Sequence, residues 1–458
     1  MNSTKASALK YRRNVRRIGL CLGLAVVMAW LVIASFGTVV AQEKTSLKVP
    51  AATVLDRSEE PLVITGTHFP AFSGASLNEL VVYAYRGGVW APVPFQIDEV
   101  NISGTYVISD DGLLGSNDEL VFMAGDAGDS AGTAEWPADT LARRNPRYVI
   151  TVTDPLSASQ QAWVYLYHST TLTRSTASYI TWTFATQTAS AMSYTASFSP
   201  TKLVGLSDLF INGGSVDILD RQKTRLGTIL GTFNEDSLVG ALGPATITLP
   251  AIGPIRAATN EGDLKAAFYR SSIEFKVTVN SPIAVTSVRS SFDWVSPTVS
   301  GINSYYDSNT PGGVAIDSVP DTISSTPRTN WFQVNGGIAG PGGLVMMIPN
   351  VNPGGGTVTN YYKDNGALDP NDTGDQRSFG DAGLQVTCSI FSPCVAASFT
   401  LKAAILPPGT NSSVGATYYA RVSNPLQANT AQQCYSLSGS CLTAVYLPLV
   451  LMNFTGAQ

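Results

Sequence analysis

Two acidic stretches carry the first hint of chemistry. ISDDGLLGSNDEL (residues 108–120) and KDNGALDPNDTGD (residues 363–375) align without gaps as D-x-G-x-L-x-x-N-D. Calcium loops of the EF-hand and dockerin type place oxygen ligands around a sharp glycine turn. An aliphatic residue follows two positions later, and an acid four after that. Gly112, Leu114 and Asp118 fit that half of the pattern, as do Gly366, Leu368 and Asp372. Val107 and Tyr361 stand where the leading aspartate of such a loop belongs. The candidate Ca²⁺ ligands are Asp110, Asp111 and Asp118 in the first stretch and Asp364, Asp369, Asp372 and Asp375 in the second, with Asp381 within reach. Carboxylates gathered in this way repel one another, and a divalent cation relieves the repulsion. The competing reading is a polar turn, since Asp-Gly and Asn-Gly sequences turn unaided.

A second candidate is DILDRQKTR (residues 217–225). On a regular strand Asp217, Leu219, Arg221, Lys223 and Arg225 share one face, and Asp220 faces the other way. Such a row, joined by Arg256, could grip a uronate or a sulfated sugar through bidentate arginine contacts. The same residues could equally form an internal ladder of ion pairs. Trp163, Tyr165 and Tyr167 line one strand face, either as a stacking platform for sugar rings or as core. His68 and His168 are the only histidines. No G-x-S-x-G elbow, H-E-x-x-H, Walker loop or dinucleotide fingerprint occurs. The doublets Asp98-Glu99 and Asp118-Glu119 each offer one carboxylate to either side of a strand, which disfavours paired acid–base work.

The elements that must position these residues are strands. SIEFKVTVN places Ile273, Phe275, Val277 and Val279 on one face and Glu274, Lys276 and Thr278 on the other. RYVITVTD, AWVYLYHS, SYITWTFAT, ASFTLKAAIL and ATYYARVSN read the same way. Gly87-Gly88 marks a hairpin, and Pro92 and Pro94 push its second strand toward a sheet edge. No long run of helical period appears after the N-terminal segment. The fold class expected is mainly β, with several sandwich-like domains. The boundaries expected are 45–169, 170–357 and 358–458.

Residues 1–41 read as a signal peptide. Lys10, Arg12, Arg13, Arg16 and Arg17 precede an apolar run from Ile18 to Val40, and Val39-Val40-Ala41 offers a cleavage site. An uncleaved anchor is the alternative. This segment holds six of the 28 Lys and Arg and none of the 33 acids, so the remainder has a net charge of −11. An acidic, charge-poor surface excludes nucleic acid as an expected partner. Cys388, Cys394, Cys434 and Cys441 then form an even set in an exported chain. Of the three connectivities, Cys388–Cys394 with Cys434–Cys441 is favoured, because each pair flanks a short turn. The spacing does not suit zinc.

The C-terminal VYLPLVLMN resembles the Y-L-P-L-V endings of secreted proteins from some filamentous bacteria. PVPFQIDEVN and NDELVFMAGDAGD resemble the front part of a family of uncharacterised secreted β proteins. The resemblance implies export or surface association and supplies no catalytic residue. The function expected is a structural, adhesive or glycan-contact role outside the cytoplasm, with calcium and disulfides adding rigidity. The partners expected are extracellular glycans or envelope components, with membrane contact only through an uncleaved N-terminus. The alternative is a secreted lyase or hydrolase acting on an acidic glycan.

Overall fold

The computed structural model describes residues 55–435, apart from 109–110, 199–204, 238–247, 261–263, 280–283 and 395–396. The signal segment, Asp110, Cys441 and the YLPLV tail lie outside the described residues. Strand accounts for 48% of the structure and helix for 8%, which makes the fold mainly β, as the period-two alternation predicts.

The chain divides into two compact units. The larger comprises Asp98–Asp110 and Thr176–Leu426. It contains a nine-stranded and a five-stranded antiparallel sheet, with a four-stranded sheet beside them. The five-stranded sheet runs in the order Gly231–Asn234, Leu219–Thr228, Val285–Trp294, Ser378–Thr387, Thr357–Asn365. Its inner face presents Val288, Phe292, Ala382 and Leu384, all buried. They join Ile273, Phe275, Phe332, Met346 and Phe399 of the large sheet in one core. Burial of aliphatic and aromatic side chains on this scale, at roughly 25 cal/mol per Å², is the main force that holds the sheets together. The expected break near residue 357 falls between elements that share sheets: Gly343–Asn352 pairs with Ala397–Leu406, and Val285–Trp294 with Ser378–Thr387.

The smaller unit comprises Ala52–Ile97, Asp111–Ser175 and residues from Gln427 onward. Its five-stranded sheet runs Gln427–Gln433, Arg147–Asp154, Ser157–His168, Leu80–Arg86, Val89–Pro92. The Gly87-Gly88 hairpin is formed, both glycines taking positive φ. The edge strand that starts this sheet comes from the late part of the chain, more than 250 residues after its neighbour.

Among the described residues, no helix is long and apolar enough to cross a membrane. Cys388 and Cys394 form the expected disulfide across a separation of six residues. Cys434 is likewise disulfide-bonded.

Candidate functional site, a buried charge network beneath an acidic turn

On the outer face of the five-stranded sheet of the larger unit, strand register assembles polar residues in rows. Lys223 lies opposite Ser291, which lies opposite Gly383, which lies opposite Tyr361. Arg221 lies opposite Asp293, and Asp381 opposite Lys363. Asp293 and Asp381 fall in line one step beyond the paired Phe292 and Ala382. Arg225 lies opposite Arg289. These residues alternate with core residues on each strand, so the same period that buries Phe292 and Ala382 inward delivers Asp293 and Asp381 outward.

The row begins at a register shift. A bulge between Leu219 and Arg221 inserts an extra residue. It sends Leu219 into the core with Trp294 and turns Arg221, Lys223 and Arg225 to the opposite face. Asp217 and Leu219 are therefore not part of the face that an uninterrupted strand would give them. Asp217 instead accepts hydrogen bonds from the backbone N–H groups of Leu209 and Leu219, at 2.8 and 3.1 Å. Burial, above all, pushes its carboxyl up to about 6.

The second acidic stretch folds over the row, and its carboxylates meet protein cations. Lys223, fully buried, places Nζ 2.5 Å from Asp293 Oδ2 and 2.9 Å from Asp372 Oδ2. Arg225 donates to Asp372 Oδ1 at 2.7 Å and pairs with Glu235. Arg221 pairs with Glu235 at 3.3 Å and with Asp236 at 2.9 Å. Thr373 is hydrogen-bonded to Glu235. Burial works to raise Asp372, but the hydrogen bond and charge of Lys223, with Arg225 behind them, hold it at about 2. Asp220 has no such partner. Burial, then the charge of Asp375, push it up to about 6. Burial and the charge of Asp381 push Asp293 well above the usual carboxylate range. Asp381 is fully buried, and neither of its carboxyl oxygens has a hydrogen-bond partner.

The remaining candidate calcium ligands have chain donors of their own. Asp364 accepts from the N–H groups of Asp317, Ser318 and Gly380. Asp369 pairs with Lys363 at 3.3 Å, and Asp375 accepts from Arg377 N–H at 2.8 Å. In the first stretch Asp111 accepts from Leu113 and Asp118 from Gly115, so both cap turns. Among the described residues, no group of three or more His, Cys, Asp or Glu side chains is placed to hold a metal ion.

No family model matches the chain, and no curated protein matches it. Among solved structures, the α-N-acetylgalactosaminidase NagBb from Bifidobacterium bifidum in its GalNAc complex is similar at a TM-score of 0.34 and 10% identity, over 52% of this chain and 38% of that one. The same enzyme in its Gal-NHAc-DNJ complex is similar at a TM-score of 0.34 and 12% identity. This chain spans 38% of that enzyme's length. Likeness at this level carries no argument about activity.

Arg221, Lys223 and Arg225 thus come together, with Asp372, while Asp217 and Arg256 do not join them. Arg256 is buried elsewhere in the larger unit, 2.8 Å from Asp98 and over the ring of Tyr106. In the smaller unit Tyr165 and Tyr167 are fully buried. With Trp136 they enclose Arg147, whose guanidinium carbon lies 4.5 Å from the Trp136 and Tyr165 ring centres. Tyr165 and Tyr167 of this row are core, and the half-buried Trp163 packs against that core. Asp293 and Glu235 escaped the sequence reading. The signal for Asp293 was its place in SSFDW, where an acid interrupts an apolar strand end; nothing local marked Glu235.

Proposed function

We propose that this chain works outside the cytoplasm as a non-catalytic β-sandwich protein with a structural, adhesive or glycan-contact role at the cell surface. One observation carries the non-catalytic part. The cations best suited to seize an acidic sugar are already neutralised by the chain's own acids, with Lys223 sealed from solvent. A glycan-active site keeps its charged groups exposed to a cleft until substrate arrives; here they serve as internal bracing. The basic-then-apolar N-terminus and the disulfide support export. The polar, charge-poor composition suits an extracellular surface, where neutral polar side chains meet glycans through hydrogen bonds.

Two measurements test this reading. Protease shaving of intact cells followed by immunodetection should remove the chain. Incubation of the purified full chain with a panel of uronate-containing and sulfated polysaccharides should release no new reducing ends and no unsaturated sugars. Release that is lost in Arg225→Ala would overturn the non-catalytic reading and put the acidic-glycan enzyme in its place.

A further inference from the structure

The cluster Lys223–Asp293–Asp381 has a composition that bracing alone does not require. A buried ammonium has three N–H donors to place; Asp372 takes one at 2.9 Å, with Arg225 sharing its charge, and the Arg377 carbonyl takes another at 3.2 Å. Asp293 then adds a second carboxyl at 2.5 Å, and Asp381 a third beside it with no donor on either oxygen. Adjacent buried acids that outnumber their cations are costly unless protons or chemistry remove the charge.

We propose that the Lys223 amine and the Asp293 carboxyl condense to an amide, with Asp381 as the proton carrier, so that the strands Leu219–Thr228 and Val285–Trp294 are covalently joined through their side chains. This goes beyond the surface role argued above and does not depend on it.

The two reacting groups have positions suited to their parts, and Asp381 stands opposite Asp293 on the neighbouring strand, beyond 4.0 Å of Nζ. Nζ of Lys223 lies 2.5 Å from Asp293 Oδ2, the oxygen that leaves. Asp293 Oδ1 accepts the backbone N–H of Phe379 at 2.8 Å, a donor set where negative charge gathers on the carbonyl oxygen during attack. Burial and the charge of Asp381 favour the protonated carboxyl at Asp293, which is the electrophilic form. Asp372, the other carboxyl within reach of Nζ, is held as the anion by Lys223 and Arg225 and is a poor electrophile. Burial opposes the charge on Lys223, and its basicity is upheld by Asp293 and Asp381, the groups that the reaction neutralises.

The step balances. A rotation of the Asp381 side chain brings its carboxylate to Nζ, where it takes one proton from the Lys223 ammonium, and the freed lone pair attacks Cγ of the Asp293 carboxylic acid. A second nitrogen proton moves to the departing hydroxyl, the C–O bond breaks, and one water leaves. The products are a neutral amide, a water and a protonated Asp381. No electron is gained or lost and no cofactor is needed. In bulk water an amine and an acid do not condense. Fixed side by side in a dry site, such groups reach effective molarities on the order of 10⁵–10⁸ M, enough to reverse the balance.

Intact-mass spectrometry of the full chain, reduced and denatured, decides the matter, because an ion pair does not survive denaturation. The expected mass is lower by one water than the sequence of the species requires. A tryptic digest should hold a branched peptide joining the segments around Lys223 and Asp293, with no cleavage after Lys223. Lys223→Ala should restore the full mass. Asp381→Asn should also restore it while leaving both reacting groups in place, with a native circular dichroism spectrum as the check on folding. A wild-type chain of full mass with cleavage after Lys223 would overturn the proposal, and a cross-link that forms equally in Asp381→Asn would overturn the role of Asp381.

Discussion

Asp220 offers the sharpest test of the electrostatics of the larger unit. Its Oδ2 is buried without a hydrogen-bond partner, and its Oδ1 accepts only the Asp375 N–H, at 3.3 Å. Burial and Asp375 raise its pKa from 3.8 to about 6. In the unfolded chain this carboxyl gives up its proton near 3.8, and in the folded chain only near 6. Between those values the folded state holds more protons, so stability falls as pH rises. A shift of this size corresponds to about 3 kcal/mol, reduced by solvent screening to about 2. Asp220→Asn keeps the shape and removes the titration. At about pH 7 the variant should be more stable than the wild type by about 2 kcal/mol, and near pH 4 the two should converge. Asp217, also raised to about 6 by burial, keeps part of the slope in the variant. The assay is urea unfolding of the larger unit's transition across a pH series. Equal stabilities at neutral pH, or a difference that does not vary with pH, would refute the reasoning.

Asp372 should act in the opposite sense. In protein whose Lys223 is still an ammonium, it is held at about 2 against 3.8 and contributes stability above 3.8 that is lost as pH falls toward 2, and Asp372→Asn should shrink this acid limb of the same urea series. Arg147→Met should destabilise the smaller unit by about 3–5 kcal/mol, because it removes a buried cation from its aromatic enclosure and orphans the carbonyls of Gly132 and Glu135; chemical denaturation followed by tryptophan fluorescence reads it. Opening the Cys388–Cys394 bridge with Cys388→Ser and Cys394→Ser together should cost about 2 kcal/mol, as befits a short loop, measured by the same means. The melting temperature should be the same in calcium as in chelator, since Asp364 and Asp372 already have chain donors; a rise in calcium would show that the acidic turns take the ion their sequence suggests.

Most strands were legible because a half-buried strand writes its period into the chain; ATYYARVSN is the exception, forming the helix Gly415–Ser423 whose Tyr418, Tyr419 and Val422 pack on the large sheet. Ile273 and Phe275 are buried where alternation puts them. The cysteine pair was legible because six residues of separation leave few other partners. The basic row was legible as a row, but not as a face. A single-residue bulge near Asp220 reverses every side chain before it, and no local composition announces the slip. The partners of Lys223 were illegible for a different reason. Asp293 and Asp381 come from strands 70 and more residues away, and only the strand order brings them beside it. The acidic turn declared its surplus charge without declaring what would neutralise it.

The strand Gln427–Gln433 has a bearing on how the chain acquires its shape. It completes a sheet whose other members lie between Leu80 and His168, with Thr176–Leu426 synthesised in between. Until those last residues emerge, Arg147–Asp154 is an open edge and Arg147 lacks its contact with Gln433. An interrupted polypeptide would display a row of unsatisfied amides ready to pair with a neighbouring molecule. Maturation of this unit therefore waits on synthesis through residue 433, and clipping before residue 427 should promote aggregation.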